Sequence, residues 1–177
     1  MSCASHTASR CPVSGTNGGH YDPGAMRISA KVDYAVRAVV ELAAVPDDKP
    51  IKAERIATAQ RIPLNFLENI LGELRHAGIV RSHRGADGGF RLARPADQIT
   101  VADIIRVVEG PLASVRGGPP EETTYSGAAE ALLRVWIAVR ANLRAVVERV
   151  TIADLASGAL PADVERLAQD PEAWVTR

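Results

Sequence analysis

The chain has 177 residues, of which 46% are hydrophobic and only 4% aromatic. This length suits one domain with an appendage, and the composition favours a mainly helical core built from aliphatic side chains. No stretch of about 20 residues is free of charged side chains, which excludes a transmembrane span, and the N-terminus lacks the apolar run of a signal peptide. We therefore expect a cytoplasmic protein with no membrane partner.

The net charge of zero hides an asymmetry between the two halves of the chain. Residues 26–95 carry 12 Lys and Arg against 8 Asp and Glu, a net charge of +4, whereas residues 96–177 carry 8 against 12, a net charge of −4. A basic segment favours contact with a polyanion such as nucleic acid. The N-terminal half is the candidate for such contact.

The first 25 residues, 1–25, are polar and lack an apolar pattern, so we predict a disordered leader. Its cysteines and histidines are Cys3, Cys11, His6 and His20. Their spacing matches none of the usual zinc patterns, so we interpret them as incidental, and redox sensing through either cysteine is a weak alternative. Met26, where the ordered pattern begins, is a candidate for the true start.

Two helices are predicted next. From Ser29, placed to cap the first, apolar residues recur at three- and four-residue spacing: Val32, Ala35, Val36, Val39, Val40 and Ala43. The prolines of "VPDDKP" end this helix. The stretch "IKAERIATAQ" indicates a short second helix with Ile56 and Ala57 facing inward.

A third helix is predicted in "PLNFLENILGELRHAG", with Pro63 in its first turn and Gly78 as a left-handed cap after its last. Its apolar face holds Leu67, Ile70, Leu71 and Leu74, and its polar face holds Asn65, Glu68, Asn69, Glu73 and Arg75. Two short helices joined by a tight turn, the second with amide side chains near its start, are typical of a motif that enters the major groove of DNA.

The segments "IVRSHRG" and "GFRLARP" then indicate two strands, with Phe90 and Leu92 inward and "GADGG" as the turn. Four arginines lie on or beside this hairpin: Arg81, Arg84, Arg91 and Arg94. A solvated face around a plain turn is the alternative, but a basic hairpin after a helix pair favours a wing that grips the DNA backbone and enters a minor groove. A phosphate-binding P-loop is excluded, because no Gly-Lys-Ser/Thr ending follows the glycines.

Residues 96–126 are predicted as a connecting helix followed by a loop. Proline, glycine and paired glutamates at 110–126 indicate a mobile, sensor-type loop that orders around an unidentified small-molecule or protein effector. Tyr125 and Trp136 are candidates for lining a pocket, although a core role is favoured for Trp136 because it falls on an apolar stripe.

The longest helical run lies in 127–160, our predicted dimerisation region. Its apolar stripe includes Leu132, Leu133, Trp136, Val139, Leu143, Val146, Val147 and Val150. We expect antiparallel pairing of two copies about a two-fold axis. Arginines between the stripe positions (Arg134, Arg140, Arg144, Arg149) favour solvated faces and pairs with Glu130 and Glu148 over a second DNA patch. Thr151 caps a following short helix, and 161–177 is a tail, either helical or partly disordered.

An enzyme is the least supported class, because no nucleophile lies beside a plausible base and the four histidines have no catalytic constellation around them. His76 and His83 flank the junction of helix and wing as surface residues. The alternative to a DNA-binding regulator is a winged-helix module that binds another protein, which would lack the steep salt dependence of a DNA reader.

Three segments together resemble a known family: "MRISAKVDYAVRAVVELA", "IPLNFLENILGELRHAGIVRSHRGADGGFRLARP" and "ITVADIIRVVEGP". From Met26 to about Leu155 the chain is similar to the IscR/NsrR/CymR family of bacterial regulators, the Rrf-two type. The resemblance implies a winged helix-turn-helix domain at 26–95, a long C-terminal dimerisation helix, and sequence-specific transcriptional control by a homodimer on a palindrome-like operator. Such homodimers act as repressors or activators, and a repressor is favoured here.

The same resemblance implies roles for particular residues. Family base readers correspond to Asn65, Phe66, Glu68 and Asn69, and the wing-tip arginine corresponds to Arg84. Asn can bond adenine bidentately, Glu can accept from cytosine, and Arg can enter a narrow minor groove. Two of these have simple structural alternatives, since Phe66 can seal the core and Glu68 can favour the helix N-terminus through the helix dipole.

The chain departs from the family in one respect. Many members carry three cysteines in the loop after the "VEGP" helix and bind an iron-sulfur cluster there, but "GPLASVRGGPPEETTYSG" has none. Asp33 stands where some relatives supply a further ligand, and we interpret it as a helix-surface acid. We therefore expect no iron-sulfur cluster and no other metal.

Overall fold

The computed structural model describes residues 28–46, 49–85 and 88–175. The predicted leader with Cys3 and Cys11, and Met26, lie outside these residues. The described helices are α1 (Ala30–Ala43), α2 (Ala53–Gln60), α3 (Leu64–His76), α4 (Val101–Glu109), α5 (Leu132–Val147), α6 (Ile152–Ser157) and α7 (Ala162–Ala168). Two strands, β1 (Val80–His83) and β2 (Gly89–Leu92), pair antiparallel. The expected class, mainly helical with a small hairpin wing, is confirmed.

Side-chain caps set the starts of three helices. Ser29 accepts a hydrogen bond from the Val32 amide at 3.2 Å at the start of α1, as its position predicts. Reciprocal capping boxes join Thr100 to Asp103 and Thr151 to Asp154 at the starts of α4 and α6. The two capping threonines also pair as an antiparallel bridge, so that α4 and α6 begin side by side.

The helix pair differs from the sequence prediction at its boundaries. α2 begins at Ala53 rather than Ile51, because Ile51 is extended and bridges to Phe90. Pro63 is the residue before α3, with an extended ψ of 125°, rather than part of its first turn. Arg61, at φ 53°, makes the tight turn between the helices, and Gly78, at φ 71°, takes the predicted left-handed conformation after α3.

The core is aliphatic and extends beyond the winged segment. Its fully buried side chains include Ile56, Leu67, Ile70, Leu71, Leu74, Ile99, Ile104 and Ile152. Ile152 belongs to α6, which packs on α1, so part of the region assigned to dimerisation lies in the protomer's own core. Val150 corrects the predicted stripe: α5 ends at Val147, and Val150, only 5% exposed, is buried inside one chain.

The hairpin is held against the helix pair by backbone contacts at Ile51. The Ile51 amide donates to the Phe90 carbonyl at 2.9 Å, and the Phe90 amide donates to the Ile51 carbonyl at 2.8 Å. This approach requires glycine at position 89, where φ is 157° and an added Cβ would lie 2.3 Å from the Ile51 carbonyl oxygen. The wing therefore has a fixed position relative to α2 and α3.

We predict that Gly89→Ala separates the wing from Ile51. The clash is with backbone that cannot rotate away, so the free energy of unfolding should fall by about 1–3 kcal/mol, measured by urea denaturation. The control is Gly72→Ala in α3, where an added Cβ meets nothing within 4 Å. Alanine there should raise the free energy of unfolding by about 0.5–1 kcal/mol. Equal stability of the two variants would contradict this account.

Candidate nucleic-acid interface

α3 presents a polar face that the rest of the described chain leaves open. Leu67, Ile70, Leu71 and Leu74 point into the core, which turns Asn65, Glu68 and Asn69 to the opposite side, where all three are exposed. These residues stand within the first two turns of the helix and at helical spacing, so they share one surface. The position is that of the base-contacting residues of a recognition helix.

Phe66 is partly exposed and also packs within its own chain. Its side chain is 42% exposed, yet its ring meets the edge of Tyr34 in α1 with centroids 5.8 Å apart. Arg37 lies over the Tyr34 ring, 5.5 Å from its centroid, and donates to Gln60 of α2 at 3.2 Å. Phe66 therefore anchors the first turn of α3 on α1 while keeping surface available to a partner.

The strand register separates the core face of the hairpin from its outer face. Val80 is opposite Leu92, and both are buried. Arg81 is opposite Arg91, and the two side chains project from the outer face because side chains alternate along a strand. Arg81 is exposed and Arg91 half-buried. The structure thus brings these two arginines together on one surface.

The other two arginines lie apart from that pair. Arg84 is exposed directly after β1, at the described base of the turn. Arg94 follows β2 and forms an ion pair with Asp103, at 3.8 Å, at the start of α4. Arg94 thus lies beside the hairpin, and its guanidinium is also engaged with the next helix. Asp33, predicted to be a surface acid, is exposed and pairs with Arg37 at 2.9 Å.

Lys31 was missed by the sequence analysis, although it ties three helices together. Its ammonium group lies 2.8 Å from a carboxylate oxygen of Glu73 in α3 and donates to the Val108 carbonyl of α4 at 3.1 Å. A lysine on a helix surface gives no sequence signal for such a contact, because its partners are distant in the chain. The contact fixes α3 relative to both α1 and α4.

α5 is only partly covered by its own chain. All 16 of its residues are described, and none is buried. Trp136 is half-buried and donates through its indole N–H to the Tyr125 hydroxyl at 3.0 Å, so these two residues pair with each other. Val135 of the same helix is 49% exposed. A helix with this much apolar surface is typical of one that packs against a second copy.

Ion pairs engage Arg140 and Arg144 of α5 and Arg149 just after it, and the predicted pairing with Glu148 is made by Arg144. Arg144 donates to Glu148 at 2.9 Å, and this hydrogen bond lowers the pKa of the Glu148 carboxyl, with a smaller contribution from Arg106 of α4. Arg140 pairs with Glu121 at 2.5 Å. The backbone amide of Glu121 itself and then Arg140 lower the pKa of the Glu121 carboxyl. Arg149 pairs with Asp163, a partner not predicted.

The next two observations on the described residues concern metal binding and membrane insertion. Within residues 28–46, 49–85 and 88–175, no group of three or more His, Cys, Asp or Glu side chains is arranged to hold a metal ion. In the same part of the chain, every helix is too short or too polar to cross a bilayer.

A helix pair joined by a tight turn and followed by a two-stranded hairpin defines the winged helix-turn-helix class. Comparison with known proteins gives the family. The model of the Rrf2 family, described as an iron-dependent transcriptional regulator, matches residues 28–158. The chain belongs to the Rrf2 family, the Rrf-two type that its motifs resemble, and it is a helix-turn-helix transcriptional regulator.

Relatives and solved structures agree with this assignment. A Mycobacterium tuberculosis chain named as an HTH-type transcriptional regulator is 50% identical over 145 residues, covering 82% of this chain and 90% of the relative. CymR of Bacillus subtilis is 37% identical over 132 residues, which cover 75% of this chain and 91% of CymR. The structure of CymR, named the global cysteine regulator of that organism, matches with a TM-score of 0.65, 35% identity and coverage of 76% and 98%. The structure of IscR from T. potens matches with a TM-score of 0.61 at 30% identity. The match covers 86% of this chain and 93% of that chain.

Proposed function

We propose that this regulator binds double-stranded DNA sequence-specifically as a homodimeric repressor, with α3 in the major groove and the hairpin in an adjacent minor groove. One observation carries the proposal: the exposed polar face at the start of α3 stands beside a basic hairpin whose position is fixed by the Ile51–Phe90 backbone pairing. A rigid scaffold that presents a helix and a wing together suits simultaneous contact with two grooves.

Within this proposal the two elements have different tasks. Asn65 and Asn69 read base edges, because a carboxamide can donate to and accept from adenine, and Glu68 accepts from cytosine. Phe66 contributes apolar contact from its exposed edge. Arg81, Arg84 and Arg91 contact phosphates or the minor groove and supply affinity that depends on salt. Arg94, which pairs with Asp103 at 3.8 Å, is the fourth arginine beside the hairpin.

The dimer forms through α5, in the proposal, by the face that includes Leu132, Leu133, Trp136, Val139, Leu143, Val146 and Val147. The apolar surface that one chain leaves open on this helix supports this arrangement. A two-fold dimer places two α3 helices on half-sites about 34 Å apart, or a multiple of that distance, and so reads a palindrome-like operator.

Iron is not part of the proposed mechanism, although the family description names it. Iron-sulfur clusters are held by thiolates, and the residues that match the family model contain no cysteine. The donor set does not fit such a cluster, and we propose that an unidentified small-molecule or protein effector takes the place of iron.

The test of base reading is Asn65→Ala, measured by fluorescence anisotropy on the chain's own upstream DNA and on scrambled DNA of equal length. Loss of a bidentate base contact should cost about 1–3 kcal/mol on the specific DNA and little on the scrambled DNA. The matched control is Asn142→Ala, an exposed asparagine of α5, which should leave both affinities unchanged. Equal losses on both DNAs would remove Asn65 as a base reader.

Arg84→Ala tests the wing. The affinity should fall on both DNAs, and the slope of log affinity against log salt should become shallower by about 1 for a lost phosphate contact. Arg166→Ala, which removes an exposed arginine of α7, is the control and should leave the slope as it is. A slope unchanged by Arg84→Ala would exclude a phosphate contact for the wing.

Val139→Glu tests the dimer. A carboxylate in the apolar face of α5 would have to be buried on association, so the variant should be monomeric in analytical ultracentrifugation and lose DNA affinity. Ala141→Glu, an exposed position on the other side of the helix, should remain dimeric. A wild-type chain that sediments as a monomer, or a dimeric Val139→Glu variant, would contradict the assignment of this face.

Anaerobically purified protein should lack stoichiometric iron and acid-labile sulfide, and its absorption spectrum should show no cluster band beyond the absorption of the protein itself. Full-length protein should give the same result after incubation with ferrous iron and sulfide. Stoichiometric iron and sulfide in either sample would overturn the proposal of a cluster-free regulator.

A further inference from the structure

A cavity of about 420 Å³ lies between the end of α4 and the middle of α5. Its described lining consists of Arg106, Gly110, Pro111, Leu112, Arg140 and Arg144, so every charged side chain among these residues is an arginine. Leu112 is buried and Pro111 exposed, which gives the cavity an apolar side next to its cationic one. The volume falls within the range of small-molecule sites.

Arg106 belongs to α4, whereas Arg140 and Arg144 belong to α5. Ion pairs hold all three arginines around the same space. Arg106 of α4 and Arg144 of α5 both bond to one carboxylate, that of Glu148. Arg140, whose side chain is only 21% exposed, pairs through one nitrogen with Glu121. A guanidinium has five N–H donors in a planar fork, and one contact to a carboxylate uses only part of them. Donors therefore remain for an oxygen-rich ligand.

The charges around the cavity leave a positive excess. Two carboxylates, Glu121 and Glu148, neutralise three arginines, while the nearby Asp103 is shared between Arg106 and Arg94 at 3.8 Å each. Arginines grouped around one cleft are the residues that recognise carboxylates and phosphates bidentately. The two glutamates show that these guanidinium groups donate hydrogen bonds to carboxylates in this geometry.

We propose that this cavity binds a small molecule with two or more anionic groups, carboxylates or phosphates, and is the effector site of the regulator. One anionic group meets Arg140, another competes with Glu148 for Arg144 and Arg106, and the uncharged part lies against Pro111 and Leu112. The binding step stands without the proposed function, but its regulatory meaning rests on that function.

Contacts described above connect the cavity to the DNA-facing helix. Glu148 links α4 to α5, so a ligand that displaces it changes how α5 is held against α4. On α4, the Val108 carbonyl accepts from Lys31, and Lys31 pairs with Glu73 of α3. These contiguous polar contacts give ligand binding a physical means of altering the placement of α3 relative to α5, and hence the spacing of the two recognition helices in a dimer.

The test is isothermal titration calorimetry of the full chain, without DNA, using citrate as the carboxylate probe and pyrophosphate as the phosphate probe. Sodium chloride at equal ionic strength is the reference.

Wild-type protein should bind one or both probes saturably, and the stronger probe identifies the ligand class. Arg144→Gln should weaken binding at least tenfold, and Glu148→Gln should strengthen it, because the competing carboxylate is removed. Arg134→Gln, an exposed arginine on the same helix outside the cavity, should bind as wild type does.

No saturable binding of either probe by the wild type, or equal affinities for Arg144→Gln and wild type, would overturn the proposal. Weaker DNA binding by Arg144→Gln, together with wild-type protein that binds neither probe, would assign the arginines to a second DNA patch and would overturn it as well. Failure of the proposed function is a separate result, because it would appear as sequence-blind binding in the DNA titrations, which contain no probe.

Discussion

The backbone pairing of Ile51 with Phe90 fixes the wing beside the helix pair, and the candidate interface depends on it. These two hydrogen bonds, of 2.9 and 2.8 Å, are the reciprocal pair of an antiparallel bridge between the segment before α2 and the second strand of the wing. A two-stranded hairpin alone is marginally stable in water. The bridge and the buried Val80 and Leu92 side chains give this one a fixed place beside α3, which the proposed joint contact of helix and wing with DNA requires.

The local parts of this arrangement are predictable from the sequence. Apolar spacing identifies α1 and α3, Ser29 and Thr151 are recognisable caps, and the glycines between two short apolar segments indicate the hairpin. Each of these signals is carried by residues close together in the chain. The predicted start of α2 was wrong because Ile51 pairs with Phe90, 39 positions further along the chain. No local sequence pattern indicates such a partner.

Side chains that join distant elements show the same limit. Val150 continues the apolar spacing of α5, but α5 ends at Val147. Val150 is therefore buried in the core of its own chain. Lys31 bonds to α3 and α4, and the cavity of Arg106, Arg140 and Arg144 draws on two helices with a loop between them. Of these residues, the sequence analysis identified only Arg140 and Arg144 as charged positions on a helix, and the geometry they share with the others came only with the fold.

A member of the Rrf2 family without cysteines in its matched region raises the question of what it senses. In this chain, α4 touches both the DNA-facing half, through Lys31, and the helix proposed for dimerisation, through Glu148. The loop after α4 is where family resemblance places a cluster in other members, and here that loop lines an arginine-rich cavity. In our proposal, a change of ligand chemistry at this position is how the regulator would respond without iron.

The most direct measurement is fluorescence anisotropy of the wild-type chain on its own upstream DNA and on scrambled DNA of the same length, across a salt series. The account predicts a clear preference for the specific DNA, with an affinity that falls steeply as salt rises. Weak binding that is blind to sequence at every salt concentration would contradict it.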